Sequence, residues 1–458
     1  MRTGVLFLLV SGLSACSVGR EFQRPDVVTP SAWRETGTQA AAAWPSSDWW
    51  TGFDSSRLNE LISQARAAND DIAGAVARVQ EADAQVRIAG APLLPSVAVG
   101  AAASRERQQV ANAGPSTFSQ LSPQLNASYE VDFWGKNRAS SDAAKAAAAA
   151  SRYDRETVEL TVMSSVATTY FQILGLRERL AVAQNNFATA QQILQGLQLE
   201  ERIGTVTALD VAQQDTTVAT LSAAIPPLEQ QLRQSINALA ILVGQPPEMV
   251  DVTSGVLGDL AQPRVTPGLP SDLLARRPDV AEAEAQLVAA NADITAARAA
   301  LFPSIELTAS GGFVSAALST LLNPVNGVYA LTAALTQSVF EGGALRGQVQ
   351  LNEARYTELL ADYHKVVISA FGNVEDQLTA LQQTADQEQR QQDAVTKARR
   401  AYDFSQSQLR AGTVNILTVL NTEGALFTAQ DALVQAKLSH LQAVVGLFNA
   451  LGGGWQRA

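Results

Sequence analysis

Apolar and polar residues alternate along several stretches of the chain. Leu121, Leu125, Ala127, Tyr129, Val131 and Phe133 fall on one side, and Ser122, Gln124, Asn126, Ser128, Glu130 and Asp132 on the other. A period of two predicts a β-strand. The pattern returns where Ile305, Leu307, Ala309 and Phe313 oppose Ser304, Glu306, Thr308 and Ser310. It returns again where Tyr329, Leu331, Ala333, Leu335 and Val339 oppose Thr332, Thr336 and Ser338. A weaker strand is expected over 96–105, where Val97 and Val99 stand opposite small residues. Four strands of about ten to twelve residues have the length of membrane-spanning β-strands.

Elsewhere the period is helical. No proline occurs from Gln124 to Ile225 or after Pro324, so 135–201 and 343–409 each read as one helix of 67 residues. At 1.5 Å per residue such a helix is roughly 100 Å long. Val367, Phe371, Val374, Leu378, Leu381 and Ala385 step by 4, 3, 4, 3, 4, which is a coiled-coil seam. Gly204 and Gly412 end these helices, and Thr207 and Asn415 can cap the returning ones. A shorter helix is expected over roughly 56–92, and its counterpart starts at Pro278. Pro226-Pro227 predicts a kink or break in the first returning helix.

These elements occur twice. Shifting the chain by 208 aligns Asp71-Ile-Ala with Asp279-Val-Ala, Leu93-Leu-Pro-Ser96 with Leu301-Phe-Pro-Ser304, and Gly204-Thr-Val206 with Gly412-Thr-Val414. Eleven of the twenty-six positions from Asp71 to Ser96 are identical at this offset. Each copy reads as helix, two strands, then two long helices. The division expected is a signal peptide over 1–15, an anchored segment over 16–55, one repeat over 56–243, a proline-rich joint over 244–270 and a second repeat over 271–458.

Charge and composition narrow the function. The 458-residue chain carries a net charge of −11, with no strongly basic stretch, which argues against nucleic-acid binding. Arg2, the apolar run from Gly4 to Leu13 and Leu13-Ser-Ala-Cys16 read as a secretory signal ending at a lipidation cysteine. Cys16 is the single cysteine, so no intrachain disulfide is possible. Ser17, rather than aspartate, follows it and favours delivery to the outer membrane. No later apolar run is long enough for a transmembrane helix.

Four membrane strands cannot close alone, and open sheet edges are not tolerated in lipid, so the chain is expected to oligomerise. Eight strands from a dimer would be filled by side chains, whereas twelve from a trimer leave a lumen. Glu130, Asp132 and Glu306, on the polar side, are the candidate lumen residues. A soluble half-buried sheet would alternate in the same way.

Cys16 with Gly19-Arg-Glu-Phe-Gln-Arg-Pro25, Trp49-Trp50, Tyr129-Glu-Val-Asp-Phe-Trp-Gly135, Leu269-Pro-Ser-Asp-Leu-Leu-Ala-Arg-Arg-Pro-Asp279, Phe302-Pro-Ser304, Ala411-Gly-Thr-Val-Asn415 and Ala450-Leu-Gly-Gly-Gly-Trp455 together carry a resemblance. The chain resembles the TolC-like outer-membrane efflux proteins, in the lipoprotein branch that serves resistance–nodulation–division pumps. The resemblance covers nearly all of the sequence after the signal, with Arg20 and Phe22 where the family often has proline and tyrosine. It implies a mainly α fold with a membrane β-barrel: a homotrimer with a twelve-stranded barrel continuous with an α-helical coiled-coil tunnel. It also implies a periplasmic adaptor and an inner-membrane pump as partners. The constriction maps to Ile416–Glu423, where Leu417 matches the apolar ring residue and Asn421 stands where aspartate is common. Leu417 packed in the helix seam, like its repeat partner Leu209, is the alternative.

Catalytic patterns are absent. His364 and His440 lack neighbouring metal-ligand patterns, and Glu130 and Asp132 fit a wetted strand face better than acid–base work. Phe133 and Trp134 can serve as an interfacial anchor or pack at a junction. The expectation is a passive exit duct for small molecules such as drugs, without cofactor. Protein secretion, metal export, a non-porous structural lipoprotein and a periplasmic enzyme are the alternatives.

Overall fold

The structure is a computed structural model describing residues 18–19, 21–34, 44–110, 114–265 and 268–457. The predicted signal and Cys16 lie outside them. In chain order come α1 (Ser56–Ala68), α2 (Asp70–Gly90), β1 (Ser96–Val110), β2 (Gly114–Glu130), α3 (Lys136–Arg202) and α4 (Ala208–Leu242). After short turns follow α5 (Pro270–Leu273), α6 (Pro278–Ala299), β3 (Ser304–Phe313), β4 (Gly327–Thr336), α7 (Ala344–Arg410) and α8 (Ile416–Ala450). The bounds of α3 and α7, and of α4 and α8, differ by the same 208 positions that relate the two halves in sequence.

The chain divides into two compact units. The first holds Arg78–Arg152 and Glu282–Lys365, and with them the whole sheet. Its four strands are antiparallel in the order β1-β2-β3-β4, so β1 and β4 are edges. Register sorts the two faces: Val99 faces Leu125, Ala127 faces Ala309, Tyr129 faces Leu307, and Ala309 faces Leu331. On the opposite face Ser96 pairs with Ser128, Asn126 with Ser310, and Thr308 with Thr332. The apolar face is bare: Val99, Tyr329 and Leu331 are 82%, 85% and 78% exposed. β1 extends over 15 residues and β2 over 17, beyond the length expected from sequence.

The second unit holds Val27–Ala77, Tyr153–Ala281 and Val366–Ala458. Trp49 stacks on Phe448 at 5.0 Å, and Phe53 meets the edge of Phe171 within a core that includes Leu58, Tyr170 and Leu239. Two landmark motifs interlock here. The guanidinium of Arg277 donates to the carbonyl of Ala450 at 2.9 Å and to both oxygens of Asp279, so it satisfies a carbonyl that the end of α8 leaves open. Gly452 sits at φ +85°, where an added Cβ would lie 2.0 Å from the carbonyl oxygen of Arg276. Only glycine fits there.

Two expectations about helices are corrected. The helix predicted over 56–92 is broken at Asn69, whose Oδ1 accepts from the Ile72 amide while Nδ2 donates to the Leu242 carbonyl. The side chain that caps α2 therefore also ties it to the end of α4. Conversely, of the kink or break expected at Pro226-Pro227 the break does not occur: α4 runs through both prolines as one helix. The carbonyls freed by the two prolines belong to Ser222 and Ala223, both exposed, where water can satisfy them.

Candidate functional site

Glu130 and Glu306 stand directly opposite each other across β2 and β3, on the polar face of the sheet. Like charges so placed repel, and Lys136, at the start of α3, offsets this. Its Nζ donates to the two oxygens of Glu130 at 2.6 and 2.9 Å. These three residues, with Ser96, Ser128 and Ser304 and with the apolar Ile88, Pro92 and Leu94, line an open pocket of about 540 Å³. A face of carboxylates and hydroxyls is one that water wets.

Asp132, expected beside them, is placed differently. β2 ends at Glu130, and Asp132 caps α3 instead. Its oxygens accept from the amides of Asn137 and Arg138, each at 2.9 Å, and from Nε of Arg138 at 3.2 Å. The carboxylate meets the positive end of the helix, a role that its strand-like spacing concealed. Trp134 also has a packing role: its Nε1 donates to the Pro303 carbonyl at 2.8 Å, and its ring stacks on Phe302 at 4.7 Å.

The second group of candidates lies in the second unit, at the turn between α7 and α8. Gly412 takes φ +72°, as its repeat partner Gly204 takes +77°. Asn415 caps α8 by accepting from the Thr418 amide, and Thr207 caps α4 with Asp210 in a reciprocal box. These bonds to Thr207 hold the Asp210 carboxyl below its usual range. From this start α8 presents two faces. Ile416, Val419 and Leu426 are buried in a cluster with Leu197 and Tyr402. Leu417 is 42% exposed, and Asn421, one turn on, is exposed beside it. Leu417 is thus not enclosed in the seam of its own chain, and Leu209 is more exposed still.

Sequence reasoning passed over Glu423. It is fully buried, neither carboxylate oxygen has a hydrogen-bond partner, and burial pushes its carboxyl up to about 7. The available signal was its spacing, since 416, 419, 423 and 426 step by 3, 4, 3 along the apolar seam. His440, by contrast, is accounted for by a 2.7 Å contact between its Nδ1 and Glu388. Among the described residues no cluster of His, Cys, Asp or Glu could hold a metal ion, and no helix is long and apolar enough to cross a membrane.

The profile of the family described as Outer membrane efflux protein matches residues 61–245 and 269–453, once for each repeat. The pyoverdine export outer membrane protein OpmQ of Pseudomonas putida is 41% identical over 438 residues, which cover 94% of this chain and 93% of that one. A probable efflux pump outer membrane protein, TtgC, of the same species is 31% identical over 99% of this chain and 96% of its own. Among solved structures, the outer-membrane channel OprN superposes with a TM-score of 0.89 at 25% identity, covering 96% of this chain and all of that one. A bare apolar sheet face backed by a polar one, paired 67-residue helices and the match of both repeats agree with this: the chain belongs to the outer membrane efflux protein family, whose members are passive channels of efflux systems at the outer membrane.

Proposed function

We propose that three copies of this chain close a twelve-stranded barrel and form a passive exit duct that performs no chemistry of its own. The observation that carries this reading is the four-stranded sheet with two open edges, one apolar face and one polar face. Joining β1 of one copy to β4 of the next satisfies the edge N–H and C=O groups that lipid cannot. The apolar face then meets lipid, and Glu130 and Glu306 meet the water of the lumen. Small hydroxyl and amide side chains on that face discriminate little, which suits a duct whose cargo is selected elsewhere. Small molecules of varied polarity, as the names of the pyoverdine- and toluene-exporting relatives suggest, are the cargo class.

In this reading Leu417 and Asn421 from three chains form the gate, and an adaptor protein and a resistance–nodulation–division pump supply opening and energy. Ion conductance of the purified protein in planar bilayers, without any partner or energy source, tests the duct. Ohmic steps support it, and silence from intact trimers, even after the gate is opened by mutation, contradicts it. Cys16 is proposed as the lipid attachment point, an anchor additional to the barrel because each buried CH₂ contributes about 0.8 kcal/mol. Cys16→Ser should abolish labelling by radioactive palmitate, and labelling that survives would refute the assignment.

A further inference from the structure

Burying an ionised carboxylate without partners is costly, and a protein usually avoids it by pairing or protonation. Glu423 has no pair. It lies on the seam face of α8, between Val419 and Leu426, and the cluster on that face draws on all four long helices: Leu197 of α3, Val211 of α4, Tyr402 of α7 and α8 itself. The titratable neighbour from α7 is the Tyr402 phenol, which burial pushes up first and the charge of Glu423 next. Asp403 and Arg399, also on α7, act on that phenol in opposite directions. On α4, Gln214 is fully buried; its amide nitrogen donates to the Ala190 carbonyl of α3 while its own carbonyl oxygen lacks a donor. Asp210, nearer the turn, is occupied by Thr207. Among the described residues no cation offsets Glu423, whose carboxyl is raised by burial alone.

We propose that Glu423 is a protonation switch for the gate: as the neutral acid it lets the first turns of α8 seat in the seam, and as the carboxylate it drives them out toward water. The inference rests on the gate reading above, because Leu417 and Asn421 ride on the same two turns. The sign follows from linkage. The seated form holds the proton more tightly than the solvated form, so it is favoured at low pH and loses ground as pH rises through about 7. With an ordinary carboxyl in the released form, the ratio of released to seated helix should rise about tenfold between pH 6 and 8.

Purified trimers in planar bilayers, recorded from pH 6 to 8, test the switch. The wild type should show an open-to-closed ratio that rises by that factor. Glu423→Gln, which keeps shape and polarity without charge, should be low and flat. If the glutamine variant does not assemble, Glu423→Leu carries the same test, since an apolar seam residue should also be flat. A flat wild type, or a variant that keeps the slope, would overturn the proposal, and the second result would assign the slope to another group such as the His440–Glu388 pair. Leu417→Ser in the same series separates the two readings. If it leaves conductance unchanged, the gate has failed; if it opens the channel while the Glu423 variant keeps its slope, only the switch has failed.

Discussion

Leu417→Ser should raise single-channel conductance several-fold and let large antibiotics such as vancomycin leak into cells, with trimers intact. The first turns of α8 present two faces. Ile416, Val419 and Leu426 take up the buried face, which leaves Leu417 partly exposed in a single chain. Three such leucines around an axis form an apolar ring that expels water, and a narrow dry segment blocks ions without a plug. Serine has little apolar surface and holds water, so the constriction should stay wet. Asn421, on the same face one turn away, is neutral and adds no ring of charge. A loss of trimers in the variant would instead mean that Leu417 is packing between chains. Unchanged conductance with intact trimers would remove it as the gate.

The second large effect concerns the barrel. Leu331, in the middle of β4, lies on the apolar face opposite Ala309, and its neighbour Thr332 lies on the polar face opposite Thr308. A lysine at the bilayer midplane costs about 2–4 kcal/mol, and a trimer bears that cost three times. Leu331→Lys should therefore almost eliminate heat-stable trimers from the outer-membrane fraction. Thr332→Lys, one residue away, should assemble normally, because its charge meets water. Denaturing gels of unheated membranes read both outcomes. If the threonine variant were lost and the leucine variant kept, the faces would be assigned the wrong way round.

Much of this architecture was legible because it repeats simple periods. Alternation at Leu125, Ala127 and Tyr129 identified the sheet faces, and the recurrence of Gly-Thr-Val and Pro-Ser at one offset identified the two copies. The ends of α3 and α7 fell one residue from those expected, since a long helix without proline ends where glycine lets the chain turn back. What the pattern hid was long-range partnership. Asn69 looks like one more polar helix residue until the Leu242 carbonyl, 173 positions away, is placed beside it. Asp132 continues the strand alternation in sequence yet caps a helix, because the strand stops two residues earlier. Leu417 and Asn421 share a face by simple spacing, but their standing as a gate came from family resemblance, since a ring around an axis is a property of three chains. Glu423 was hidden for a related reason. A seam position can be counted from spacing, whereas its freedom from any cation depends on what three other helices contribute.

The lumen, the lipid-facing strands and the three-leucine ring all require that the sheet of a single chain be one third of a barrel. Light scattering of the detergent-solubilised protein, with the detergent mass subtracted, measures the number of chains per particle directly. Three chains per particle are expected. A stable, folded monomer, with both sheet edges open, would contradict this.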